Sequence, residues 1–168
     1  ITINQNVLRR ITDLGNTLAP KKSDPAQLQK ALWEEGIALD TANGSITFKA
    51  RPIMRERPLE VIVINDGGPG HESLFRTSAR PSLLRLALLE LGLAPGGPMN
   101  IAKNEGPVGP PVTIYVTWTG LEKPFHLEDT IQDIRTKEPM KNAKWVFSGS
   151  DFTLDFRSGK ECYVADDA

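Results

Sequence analysis

One cysteine, Cys162, stands in 168 residues. A single thiolate forms no intramolecular disulfide and cannot build a cysteine-based zinc or iron–sulfur site, so no iron–sulfur cluster is expected. Charge of either sign is not in excess. Twenty Lys and Arg face 21 Asp and Glu, for a formal net charge of -1. Surfaces that hold nucleic acid or anionic membrane usually carry a basic excess, so neither is expected as a partner. No apolar run approaches the roughly 18 residues of a membrane span, and no transmembrane segment is expected. Histidine is scarce too, with only His71 and His126 to serve as imidazole bases or ligands.

What is present suits one domain. Hydrophobic residues make up 39% of the chain and charged residues 24%. A domain of this length buries roughly 70% of the surface its unfolded chain exposes, enough for a core without covalent staples. The first residue is Ile1 rather than Met, which reads as a processed or trimmed product, with a removed secretion signal as one explanation.

Local signals order the chain. Val7, Leu8, Ile11, Leu14 and Leu18 recur at helical spacing and predict a short amphipathic helix. Asp24-Pro25 predicts a second helix, with Asp as N-cap and Pro at the first turn, running to about Glu35 and stopping at Gly36. Its buried side is expected to hold Leu28, Leu32 and Trp33. Asn43-Gly44 lies between apolar runs and predicts a hairpin with a type I′ turn. Leu59–Ile64 has no polar residue after Glu60, the pattern of a central strand covered on both faces.

After the Gly67-Gly68-Pro69-Gly70 turn, residues 71–78 predict another strand. The helix "PSLLRLALLEL" should then end at Gly92. "VTIYVTW" (112–118), "KWVFSGS", "DFTLDF" and "ECYVADD" complete the strand signals. Proline- and glycine-rich segments at 95–98 and 106–111 cannot be regular. The expected fold is α+β. It has a mostly antiparallel sheet, one buried leucine-rich helix on a face, and a short N-terminal helical appendage.

Several of these stretches occur together in one known family. The order "VIVINDGGPGHESLF", "RPSLLRLALLELGLAPG", "VTIYVTW" and "KWVFSGSDF", spanning about Leu39 to Asp166, resembles the bacterial YdjY-like domain family. The resemblance divides the chain into a helical appendage at 1–36 and a YdjY-like domain at 37–168. It implies an exported or envelope-associated domain, periplasmic after signal removal, although nothing in the residues opposes a cytoplasmic address. It supplies no reaction.

The candidate chemistry centres on His71, Glu72 and Ser73. Imidazole is the natural general base near neutral pH, and Ser73 would share its strand face two residues on. Parallel i, i+2 side chains seldom meet end-on, however, and no G-x-S-x-G elbow surrounds any serine. His71, His126 and Glu128 form the available metal-ligand set, without the tight spacing of typical sites. Arg76 and Arg80, with Arg51, Arg55, Arg57 and Arg85 nearby in sequence, are guanidinium forks suited to carboxylate or phosphate. Ser148 and Ser150 flank Gly149 in a turn and could add hydroxyls to such a ligand. The leading expectation is a non-enzymatic module that binds a protein partner or a small anionic ligand. The alternative is a hydrolase or metal-dependent enzyme using His71, Glu72 and Ser73.

Overall fold

The computed structural model describes residues 24–53, 57–68, 70–140, 143–155 and 159–167. The helix expected within residues 1–19 lies outside the described residues. The chain is α+β, with several small, mostly antiparallel sheets predominating over the two α-helices of the described residues. No described helix is long and apolar enough to cross a membrane.

Helix α1 (Pro25–Glu34) forms where the capping chemistry predicts it. Asp24 accepts a hydrogen bond from the Ala26 N–H at 3.1 Å, and Gly36 leaves the helix at φ +69°. Leu28 and Leu32 turn inward, and Leu32 is fully buried. Trp33, one residue round the helix, is 77% exposed and not part of the buried side. Strands β1 (Ile37–Asp40) and β2 (Ser45–Phe48) follow as an antiparallel hairpin, with Asp40 opposite Ser45. The turn therefore holds four residues rather than the two of a type I′ connection, and of its residues only Gly44 has positive φ. The Asp40 carboxylate accepts from the N–H groups of Ala42 and Asn43 and from the Asn43 amide. These bonds hold its pKa below the usual carboxylate value, the Asn43 side chain contributing most.

Strands β3 (Arg51–Pro52), β4 (Val61–Ile64) and β5 (Ser73–Arg76) form one sheet in the order β3-β5-β4. β5 is antiparallel to β3 and parallel to β4. The central strand is thus β5, and the apolar run "VIVI" is an edge. The run reads as doubly covered from its apolar continuity, but Val61 is exposed and the run borders an apolar cleft. The strand expected over 71–78 is also shorter, since residues Gly70–Glu72 form a 3₁₀ turn before it.

Helix α2 (Pro81–Glu90) buries Leu83 and Ala87 against Leu28, Leu32, Ile37 and Ala79, with Phe48, Leu84 and Leu86 packed around them. A buried leucine contributes roughly 1.5–3 kcal/mol, so α1, the first hairpin and α2 share one core. The helix closes as expected: Gly92 takes φ +83° and the Leu93 N–H reaches the Leu88 carbonyl at 3.1 Å. Its start is unusual. Arg80 offers no side-chain cap. Instead the Glu35 carboxylate accepts from the Arg80 N–H at 2.7 Å, and Asp166 accepts from the Ser82 N–H at 2.7 Å.

The second half is built from short pairs. The stretch 112–118 is not one strand: β6 (Pro111–Val112) pairs with β9 (Trp145–Val146), while β7 (Tyr115–Val116) pairs with β8 (Phe125–His126). The proline- and glycine-rich segments cross there in close contact. A Cβ on Gly109 would stand 2.2 Å from the Phe147 carbonyl oxygen, and one on Gly96 2.0 Å from that of Val108. Only glycine permits that approach. Strands β10 (Phe152–Asp155) and β11 (Lys160–Tyr163) form a last hairpin, joined to α2 by Arg85, whose guanidinium lies 5.0 Å from the Phe152 ring and 5.8 Å from that of Tyr163. Burial raises the Tyr163 pKa above its ordinary value, with Arg85 opposing.

The remote caps of α2 give a direct expectation. Glu35→Ala and Asp166→Ala should each lower the unfolding free energy by about 1 kcal/mol, the usual loss for a helix N-cap. Urea denaturation midpoints measure it. Unchanged midpoints in both variants would show that water replaces these carboxylates without loss.

Candidate functional site

The 3₁₀ turn at Gly70–Glu72 decides what His71, Glu72 and Ser73 can do together. Because His71 sits in the turn and Ser73 begins β5, the two are not alternate residues of one strand. His71 is exposed, and its Nε2 lies 3.3 Å from the Glu72 carboxylate. Ser73 is fully buried in the central strand of the sheet. An exposed imidazole–carboxylate pair and a serine enclosed in the core do not share one open surface.

The other histidine lies on a separate ribbon. His126 ends β8 opposite Tyr115, their ring centroids 4.7 Å apart. Glu128 falls in the 3₁₀ turn Leu127–Thr130 that follows, and its Oε2 is buried without a hydrogen-bond partner among the described residues. Among those residues, no group of three or more His, Cys, Asp or Glu is placed to hold a metal ion.

The arginines are used differently from one another. Arg80 is committed to Glu35 through both its backbone N–H and its guanidinium. Arg76 folds back under the glycine turn, where its Nη2 donates to the Gly68 carbonyl at 3.2 Å and its Nε is buried without an acceptor among the described residues. A Cβ on Gly70 would stand 2.7 Å from that Nη2, so glycine leaves room for the guanidinium. Ser148 donates weakly to the Gly149 carbonyl at 3.4 Å, and the backbone of Ser150 hydrogen-bonds the Tyr163 hydroxyl. Both flank Gly149, at φ +77°, in the link from β9 to β10, not on the sheet that carries Arg76.

A concave feature lies at the edge of that sheet. A cleft of about 370 Å³ is lined by Phe48, Val61, Val63, Ile64, Ala79 and Leu84, among others. Asn65 and Thr77 also border it, but their polar atoms are engaged within the protein. Asn65 accepts from the Gly67 N–H and donates to the Asp166 carbonyl. Thr77 donates to the Lys49 carbonyl at 2.7 Å and accepts from the Ala79 N–H at 3.1 Å. The cleft therefore presents apolar surface almost throughout.

The main chain beside it is equally distinctive. The Glu60 N–H bonds the Glu72 carbonyl, and the Thr77 N–H bonds the Ile64 carbonyl. Successive residues of a strand face opposite neighbours, so residues 60, 62 and 64 serve β5, while Val61 and Val63 direct their N–H and C=O groups outward. None of the sequence signals identified Val61 and Val63 as functional. The available signal was the apolar run itself, which reads equally as a covered central strand.

The sequence profile of the YdjY domain matches residues 37–164. A curated relative, "Uncharacterized protein YdjY" of Escherichia coli (strain K12), is 35% identical over 79 residues, covering 46% of this chain and 35% of that protein. The chain thus matches little more than a third of that relative's length. No solved structure matches it.

The contrast between exposed His71 and enclosed Ser73 is measurable. His71→Ala should change stability by less than about 0.5 kcal/mol, as a surface substitution does. Ser73→Leu should cost about 1–3 kcal/mol by overpacking. Equal effects in thermal or chemical denaturation would contradict this placement.

Proposed function

The chain belongs to the YdjY domain family, and on that footing we propose that it is a non-enzymatic binding module. Its ligand is an extended polypeptide with apolar residues at alternate positions, laid along the outer edge of β4. The observation that carries this reading is the coincidence of an apolar cleft with a strand edge that has no pairing partner among the described residues. Outward N–H and C=O groups at Val61 and Val63 call for a main-chain partner, and the cleft calls for apolar side chains.

The two requirements belong to one kind of ligand. A strand added to an edge satisfies backbone groups through its own backbone, each hydrogen bond contributing about 0.5–1.5 kcal/mol net. Its alternate side chains point to one face, here into the cleft, where a buried valine or leucine contributes roughly 1.5–3 kcal/mol. A compact polar molecule would meet Asn65 and Thr77 already engaged. With this reading goes the exported, envelope-associated address that the family resemblance implies. Fractionation of cells carrying the full-length gene product tests that address independently.

Panning the protein against a random heptapeptide library tests the ligand. Peptides with apolar residues at alternate positions should be enriched, and Val63→Pro should weaken their binding at least tenfold. That substitution removes an outward N–H while leaving the bonds to β5 intact, as edge positions allow. Enrichment without such a pattern, or binding indifferent to Val63→Pro, would overturn the reading. So would a stable dimer of the protein that Val63→Pro dissociates, since the edge would then be filled by a second copy.

A further inference from the structure

We propose that the sheet face carrying Arg51 and Arg76 is an anion-binding site, for the carboxylate or phosphate group of a ligand. The site is separate from the β4 edge and stands whether or not a peptide binds there. Arg51 and Arg76 are directly opposite each other in the antiparallel β3–β5 pair. Directly opposed residues project from the same face, with Cβ atoms roughly 5 Å apart. Like charges in that relation repel, so the arrangement calls for a compensating negative group.

No carboxylate of the described residues supplies one. Ion pairs there join Lys30 to Glu34, Arg80 to Glu35 and Arg135 to Asp133, and the Glu72 carboxylate lies 3.3 Å from His71 Nε2. Among the described residues the Arg76 guanidinium donates to the neutral Gly68 carbonyl, at 3.2 Å. Its Nε is buried with no partner there. A guanidinium stays protonated under all ordinary conditions, so it cannot relieve this by losing its proton. Leaving such a donor unsatisfied costs about 1–3 kcal/mol, and more for a charged group.

The surroundings fix the guanidinium in place. Gly70 has no side chain to exclude it, and Ile53 packs beneath the same turn. A guanidinium held in this way, with exposed Arg51 opposite it on the same sheet face, suits a planar or tetrahedral oxyanion. The negative group nearest in sequence, Glu72, faces His71 instead. Carboxylate and phosphate share the chemistry that would recognise such a pair.

The test uses the full chain labelled with ¹⁵N-arginine, titrated with inorganic phosphate and, separately, with acetate at constant ionic strength. The Nε–H signal of Arg76 should move saturably with at least one of them, and the preferred ion identifies the ligand group. Arg51→Gln should weaken that binding at least fivefold, with the remaining spectrum unchanged. Linear shifts that sodium chloride reproduces, or a saturable shift that Arg51→Gln leaves intact, would overturn the proposal.

Discussion

The start of helix α2 is the joint on which the rest of the molecule depends. A helix exposes unpaired N–H groups at its first turn, and Arg80-Pro81 brings no side chain able to accept from them. Two carboxylates from distant parts of the chain do so instead, Glu35 from the end of α1 and Asp166 from the last turn. Their negative charge also suits the positive end of the helix dipole. Just upstream, Thr77 binds the Ile64 carbonyl through its N–H, the Lys49 carbonyl through its hydroxyl, and the Ala79 N–H in return. These bonds tie both helices, the sheet, the first hairpin and the C-terminal turn to one another.

That joint sets the geometry of the surfaces that remain open. Ala79, Pro81 and Leu84 of the joint and helix form one wall of the apolar cleft, and β4 forms another. The Asn65 amide reaches the Asp166 backbone, so the end of β4 and the cap of α2 are held by the same turn. β5 serves two purposes at once. Its parallel neighbour leaves an edge for strand addition, and its antiparallel neighbour places Arg51 beside Arg76. The proposed peptide edge and the proposed anion site are thus different parts of one sheet.

Features set by adjacent residues were legible in the sequence. Asp24-Pro25, Gly36 and the leucine run ending at Gly92 each act through a local backbone rule and mark the element they predict, while Asn43-Gly44 marks the hairpin but not its turn type. Features set by long-range pairing were not. Leu59–Ile64 reads as a central strand because apolar continuity cannot distinguish a second strand from a cleft. His71 and Ser73 read as strand neighbours because nothing local announces the 3₁₀ turn between them. The stretch 112–118 alternates well enough for one strand, yet β6 and β7 find different partners. Arg76 and Arg51 were both recognisable as candidates by their chemistry, whereas their pairing emerges only from the register of β3 on β5.

The proposed binding function rests most heavily on β4 being an open edge held by this joint. Amide hydrogen exchange of the free protein, resolved residue by residue, examines that most directly. Ile62 and Ile64, on the side of the strand that faces β5, should be protected. Val61 and Val63 should exchange orders of magnitude faster and become protected when an extended peptide is bound. Slow exchange at Val61 and Val63 in the free protein would mean that the edge is already covered, and would contradict that function.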